Sequence, residues 1–419
     1  MWLSLGLFAG GALLGAPIAF ALVLAGFGYM LVAGDYPSSV SAYLFATLNS
    51  STLLSIPFFI LAAEILNQSG ATRSLVKMID AWIGHNSGGL PVVAVVAVAF
   101  FSAICGSSAA TAAAIGSIMI PEMIERGYGR RFSIGLIAAA GGIGILIPPS
   151  IPLIVYGMVA ETSIAALFSA ATLPGIALAA ILCAIAYVVG RRTETARSPR
   201  RSWAERVTAT RRSLGILFLP VIILGGIYSG IFTPTESAAI ACIYALLLAV
   251  TVHRVSLTAL PRMLTTAAAT ASMVMLILAA ANLFSYGLTA ERVPHAVFEW
   301  LMALELDRWQ LLLGLMLFFV LAGMFLEVIS IILITMPILL PVLAASGIDP
   351  IYFAVLLVVN MELAVITPPI GLNLFVISAV SGVPVTEVIR GAVPFVAVIV
   401  VFLLALMYLP GVERLVLSW

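Results

Sequence analysis

Apolar residues fill this chain in long uncharged blocks, and polar residues come in short clusters between them. The blocks 3–33, 50–67, 132–160, 164–190, 213–232, 235–252, 262–290, 351–380 and 386–410 are each of a length to cross a hydrocarbon core of about 30 Å as a helix. Runs of this length point to helices and not strands, so the pattern predicts an all-α polytopic membrane protein. Two further blocks, 91–121 and 310–341, are equally apolar but do not fit a single crossing. The first would be about 46 Å long as one helix, too long to cross without extreme tilt.

The interiors of these two blocks suggest how they fold. Block 91–121 runs from proline to proline, and its centre, Cys105-Gly106-Ser107-Ser108, is small and polar. A break there leaves two half-length helices and predicts a re-entrant hairpin with Ser107 and Ser108 at its tip. Block 310–341 carries "GMFLEVIS" (323–330) at the matching place, with Glu327 where the first block has Ser107. Glu327 is the only charge between Trp309 and Ile348. A carboxylate inside a membrane is costly and marks a functional site by default. It has three possible uses: to bind a cation, to titrate a proton, or to cap the second half-helix.

Block 132–160 is too long for one straight helix and is interrupted by "GILIPPSIPL" (144–153). Proline removes a backbone donor and clashes with the preceding turn. Broken backbone is tolerated in hydrocarbon only when it is buried in protein or lines a cavity. The break at Pro148-Pro149 therefore predicts free carbonyls around Leu146 and Ile147, with Gly144 just before and the Ser150 hydroxyl just after. Oxygen donors of this kind suit a hard cation such as Na⁺. Block 351–380 repeats the device as "VITPPIGLN" (365–373), with Ile366, Thr367, Pro368-Pro369 and Asn373.

The recurrence extends along the chain. At an offset of 217, Pro17 falls on Pro234 and "ILAA" (60–63) on "ILAA" (277–280); at 220, Pro121 falls on Pro341, Pro148-Pro149 on Pro368-Pro369 and Pro174 on Pro394. The chain thus reads as a first unit, 1–190, a connecting segment, 191–234, and a second unit, 235–419. With 3–33 counted as one crossing, each unit has four crossings, and the extra crossing 213–232 turns the second upside down. That is the inverted-topology repeat common in secondary transporters. Tips set beside breaks predict two related pockets near the membrane midplane. The cation-site candidates are Gly106, Ser107, Ser108, Gly144, Ile147, Pro148 and Ser150 in one, and Gly323, Glu327, Ile366, Thr367 and Pro368 in the other. An organic substrate between them would meet Ser107, Ser108, Pro149, Ser150, Glu327, Pro369 and Asn373.

Composition narrows the function further. The 419 residues are 63% hydrophobic and 9% charged, against about 25% charged in soluble domains, so a soluble fold is excluded. A net charge of +1 gives no reason to expect nucleic acid. Cys105, Cys183 and Cys242 lie in separate apolar segments, and the three histidines show no metal-ligand spacing. An intramembrane enzyme would need a base, nucleophile or metal constellation; Glu64, Glu327 and Glu362 are the available candidates and have no His or Asp partner in sequence. Block 3–33 lacks a basic flank and is expected to be a retained span, not a cleaved signal. The loop 190–215 holds eight of the 19 Lys and Arg residues, which predicts a cytoplasmic location. The six Trp residues (2, 82, 203, 300, 309 and 419) lie outside the span centres, as interface anchors do.

Several long stretches carry a family likeness. "SAICGSSAATAAAIGSIMIPEMIERGY", "GILIPPSIPLIVYG", "SGIFTPTESAAIA" and "GIDPIYFAVLLVVNMELAVITPPIGLNLFV" resemble the large membrane subunit (DctM type) of tripartite ATP-independent periplasmic (TRAP) transporters, in order and over nearly the whole chain. The resemblance implies sodium-driven import of a carboxylate across the bacterial inner membrane by an elevator-type ion-transporter fold. It also implies a small four-helix membrane subunit (DctQ type) and a periplasmic substrate-binding protein (DctP type) as partners. Because the first span starts at Met1, the small subunit is expected as a separate chain. Carried onto this sequence, Gly106-Ser107-Ser108 and the breaks at Pro148-Pro149 and Pro368-Pro369 become sodium-site elements. Glu236 of "TPTE" (233–236) becomes structural or partner-facing. The competing reading is a stand-alone sodium-coupled dicarboxylate symporter of the same fold.

Overall fold

Twenty α-helices and two short 3-10 turns make up the described residues (3–34, 37–193 and 200–418) of the computed structural model, with no strand among them. Trp2, Trp419 and residues 194–199 of the Arg-rich loop lie outside the described residues. The first half of the chain contains α1 (Leu3–Leu13), α2 (Ile18–Ala33), α3 (Pro37–Leu48), α4 (Ser55–Gln68), α5 (Ala71–Ile83), α6 (Gly89–Cys105), α7 (Ser108–Glu125), α8 (Arg130–Leu146), α9 (Ile151–Val159) and α10 (Ile164–Arg192). The second half contains α11 (Trp203–Tyr228), α12 (Pro234–Thr251), α13 (Leu260–Ala290), α14 (Val293–Ala303), α15 (Arg308–Gly323), α16 (Val328–Ala345), α17 (Pro350–Val365), α18 (Leu372–Ser381), α19 (Val385–Tyr408) and α20 (Val412–Leu417).

The first apolar block is not one crossing. Gly15 adopts the left-handed φ of 79° that the turn requires, Pro17 follows, and α1 and α2 fold back on each other. Their contact is close because glycine lines it: a Cβ on Gly11 would meet Ala21 at 3.2 Å, and one on Gly28 would meet Leu7 at 2.6 Å. The second half opens with the same device, since α11 packs on α12. The 217-residue offset lays α1 on the last turns of α11 and α2 on α12. The stretch 213–232, expected as an extra crossing, is therefore the counterpart of α1.

The halves interlock. Helix α2 packs on α13, and α12 packs on α4. Gly26 lets the first pair approach closely, for a Cβ there would stand 2.7 Å from the Leu283 carbonyl oxygen. Small residues at helix contacts are how membrane helices gain close packing without a hydrophobic drive. The amphipathic α5 turns 67° away from α4 and lies against α11, where Ser213 Oγ donates to Ser74 O at 3.0 Å.

Helices α6 and α7 pack side by side, so block 91–121 is a hairpin. Its base lies beside the end of α10, where the Cα of Gly88 would be 2.8 Å from a Cβ on Gly190. The base of the second hairpin is tied to the chain end by the Arg308–Glu413 ion pair. The two hairpins differ in shape. Helix α7 stays on α6 and α8, whereas α16 leaves α15 and packs on α9, α13 and α14. Both long blocks beyond the hairpins are interrupted as predicted, at 147–150 between α8 and α9 and at 366–371 between α17 and α18. Each proline pair is joined by a cis peptide bond.

Candidate functional site

The first tip forms because Gly106, at φ 63°, ends α6 and Ser107 caps α7, its hydroxyl accepting from Ala110 N at 3.5 Å. The second tip forms in the same way around Glu327, whose carboxylate accepts from Ile329 N at 3.0 Å at the start of α16. Ser107 and Glu327, 220 residues apart, are thus equivalent N-caps. Of the three uses open to Glu327, capping is the one visible in the geometry.

The breaks are satisfied in part by the same chemistry. Pro148 and Pro149 deprive Gly144 O and Ile145 O of their amide donors. The Ser150 hydroxyl replaces one of them, donating to Ile145 O at 2.5 Å, and also caps α9 by accepting from Leu153 N at 3.4 Å. At the second break the Thr367 hydroxyl donates to Leu363 O at 2.7 Å. A hydroxyl flanks each proline pair because each helix end has carbonyls to satisfy. Among the described residues nothing donates to Leu146 O or Ile147 O. These remain available as oxygen ligands.

Each tip is bonded to a break. Ile151 N donates to Gly106 O at 3.3 Å, and Gly371 N, its counterpart at 220, donates to Met324 O at 3.4 Å. Glycine again sets the approach. A Cβ on Gly144 would lie 2.8 Å from Ser107 O and 3.0 Å from Thr111 Oγ1, and one on Gly323 would lie 2.6 Å from the Ala364 Cβ. The first break is enclosed, with Ile147, Pro148, Pro149 and Ser150 all buried; at the second, Thr367 is half-buried and Pro368 and Pro369 are exposed. The departure of α16 from α15 leaves that side open.

The tips meet in one cavity of about 640 Å³. Gly106, Ser107, Ser108, Gly323 and Glu327 line it. Gly144, Ile147, Pro148, Pro149, Ser150, Ile366, Thr367, Pro368 and Pro369 do not line it, but their neighbours Ile145, Ile151, Pro152, Val365, Ile370 and Leu372 do. Asn373 is fully buried and donates to Ser108 Oγ at 2.7 Å and to Ala138 O at 3.2 Å. The far wall comes from α2, α4 and α13, through residues such as Phe20, Glu64 and Thr270. Glu64, considered from sequence only as an enzyme candidate, is part of this wall and accepts from Gln68 Nε2. It was detectable as the lone acid within 50–67. Among the described lining residues Glu64 and Glu327 are the only charged side chains.

The donor set suits a hard monovalent cation. Near the first tip stand Ser107 O, the Ser107 and Ser108 hydroxyls, and Thr111 Oγ1, which is buried with no oxygen or nitrogen partner among the described residues. All are oxygens, as such cations require. No group of three His, Cys, Asp or Glu residues suited to a transition metal occurs among the described residues.

Comparison with known proteins places the chain in a family. The sequence profile described as "Tripartite ATP-independent periplasmic transporter, DctM component" matches residues 5–412. The C4-dicarboxylate TRAP transporter large permease protein DctM of Pseudomonas aeruginosa is 43% identical over 391 residues, 93% of this chain and 92% of that one. The isethionate TRAP transporter permease protein DctMQ of Oleidesulfovibrio alaskensis is 37% identical over 418 residues, 97% of this chain and 65% of that one. Among solved structures, Neisseria gonorrhoeae MtrF superimposes with a TM-score of 0.61 at 14% identity, over 91% of this chain and 83% of that one. It shares the fold.

Proposed function

The chain belongs to the DctM family of large permease components of tripartite ATP-independent periplasmic transporters, and on that premise we propose that it imports an organic carboxylate coupled to sodium by an elevator motion. It is a multi-pass membrane protein, placed on this reading in a bacterial inner membrane with loop 190–215 in the cytoplasm. A small membrane subunit of DctQ type and a periplasmic binding protein of DctP type complete the transporter. The binding protein delivers the substrate, and sodium drives the import.

One observation carries the proposal: two tips, each hydrogen-bonded to a helix break, face one cavity whose opposite wall belongs to α2, α4 and α13. The tips and breaks offer carbonyls and hydroxyls to cations. A bound cation would offset the negative ends of α8 and α17, which terminate at the breaks. The substrate sits between the tips, so it binds well only when the cations hold the tips closed. The hairpins and broken helices move as one body past the helices of the far wall. Within the transporter, Ser107 and Ser108 position the first cation, Glu327 keeps the second tip folded, and the prolines hold the helix ends apart.

The test is uptake by the chain reconstituted with its two partner proteins, using a panel of carboxylates. An inward sodium gradient should drive accumulation. Ser107→Ala and Ser108→Ala should each weaken sodium activation. Sodium-independent accumulation by the wild type would overturn the coupling. Unchanged sodium activation in both variants would overturn the first-tip assignment.

A further inference from the structure

The two tips are joined through Gly371 to Asn373, where the second break passes into α18. Gly371 N donates to Met324 O of the second tip at 3.4 Å. Two residues later, Asn373 Nδ2 donates to Ser108 Oγ of the first tip at 2.7 Å, across 265 residues of sequence. The same amide nitrogen donates to Ala138 O of α8 at 3.2 Å. Gly141 admits it, since a Cβ there would stand 3.4 Å from Asn373 Nδ2 and 2.6 Å from the Ala112 Cβ.

This linkage has no copy in the first half. The residue 220 positions before Asn373 is Leu153, whose side chain cannot donate. Asn373 is fully buried, and a buried amide is retained at the cost of losing its water contacts. Its Oδ1 is buried with no partner among the described residues, and so is Thr111 Oγ1, one turn past Ser108 on α7. An apolar residue would avoid both costs if packing were the only requirement at this position.

We propose that Asn373 is a positioning residue that couples the two tips, so that cation occupancy at the second tip sets the orientation of Ser108 at the first. The inference rests on the sodium-coupled reading above. A cation at the second break orders Gly371 against Met324. That ordering fixes the start of α18 and presents the Asn373 N–H to Ser108 Oγ. With one Ser108 lone pair engaged by this donor, the hydroxyl is held in one rotamer, and the other lone pair faces the first tip. The two sites then fill together. Coupling of this kind is reciprocal and appears as a Hill coefficient above one.

The test is the sodium dependence of initial uptake by the reconstituted transporter with both partner proteins. The wild type should show a Hill coefficient above one. Asn373→Leu installs the residue found in the first half, and Asn373→Ser keeps a polar group too short to reach Ser108. Both should lower the coefficient toward one and raise half-saturating sodium about threefold or more. Ser108→Ala should do the same, and the Ser108→Ala/Asn373→Ser double variant should add little to either single change. A residue that only supports folding would lower the maximal rate and leave the coefficient unchanged. An unchanged coefficient in both Asn373 variants, a wild-type coefficient of one, or additive effects in the double variant would each overturn the inference. Loss of sodium dependence in the wild type itself would instead defeat the function proposed above.

Discussion

Glu362 packs against the bare backbone of Gly142, the position that the 220-residue offset makes its own counterpart: a Cβ on Gly142 would stand 2.2 Å from Glu362 Cγ. Two equivalent helices, α8 and α17, meet there, each about one turn before its break. Equivalent positions in contact mark the local axis that relates the two halves. One half supplies a carboxylate and the other supplies the space for it. Gly142→Ala should therefore lower the thermal stability of the purified membrane complex, by about 1–3 kcal/mol as overpacked cores do. Gly142→Ala/Glu362→Ala should recover part of the loss. A Gly142→Ala protein that melts with the wild type would show that the two helices do not meet as described.

The capping role of Glu327 gives a second expectation. Its carboxylate accepts from Ile329 N as Ser107 accepts from Ala110 N, so short oxygen-bearing side chains should replace it. Glu327→Ser and Glu327→Asp should hold the melting temperature near that of the wild type, while Glu327→Ala loses about 1 kcal/mol. Equal stability of all three variants would remove the cap as an explanation for a carboxylate in the membrane.

Much of this arrangement was legible in the sequence because hydrocarbon makes proline, glycine and hydroxyl residues conspicuous. Gly106-Ser107 and Pro148-Pro149 interrupt runs that would otherwise continue as helix, and water is not available there to repair the damage. The tips and breaks fell where that logic placed them. The turn at Gly15-Ala16-Pro17 was lost because the block around it is apolar on both sides, and length alone favoured one crossing. The departure of α16 from α15 has no local signal, since it depends on what α9, α13 and α14 offer. The bond between Asn373 and Ser108 joins two ends of the fold, and no pattern within either segment announces it. The meeting of both tips in one cavity follows from that long-range closure and from the far wall of α2, α4 and α13.

Arg206 supports a prediction about the junction of α5 and α11. It is 7% exposed, and its guanidinium lies 5.7 Å from the Trp82 ring centre and 5.4 Å from that of Trp203. The Trp82 indole donates to Thr210 Oγ1 at 2.9 Å, so the cluster fastens α5 to α11. Cation–π contacts are worth about 2 kcal/mol when desolvated, and a planar guanidinium stacks where an ammonium does not. Arg206→Ala should destabilise the purified complex by about 2 kcal/mol and Arg206→Lys by less, read as shifts in thermal denaturation. Trp82→Leu should cost much less in the Arg206→Ala background than alone. Equal cost in both backgrounds would show that the ring and the guanidinium do not act together.

Gly106 offers the sharpest test of the first tip. Its φ of 63° lies in the left-handed region, which costs other residues roughly 1–2 kcal/mol. Space is short as well, because a Cβ would stand 2.7 Å from Pro149 O. That oxygen is backbone at a proline, so it cannot turn aside as a side chain would. Gly106→Ala must then push the tip away from the break, stretching the bond from Ile151 N to Gly106 O and separating the Ser107 and Ser108 hydroxyls from the carbonyls of Leu146 and Ile147. Overall folding depends on this one junction much less than transport does, since α6 and α7 still pack on each other and on α8. Gly106→Ala should assemble at near wild-type levels and lose uptake about tenfold or more, a change that corresponds to about 1.4 kcal/mol. Much of the loss should be recovered at high sodium, because mass action restores a weakened site. Normal uptake at low sodium would mean that the tip and the break do not form one cation site.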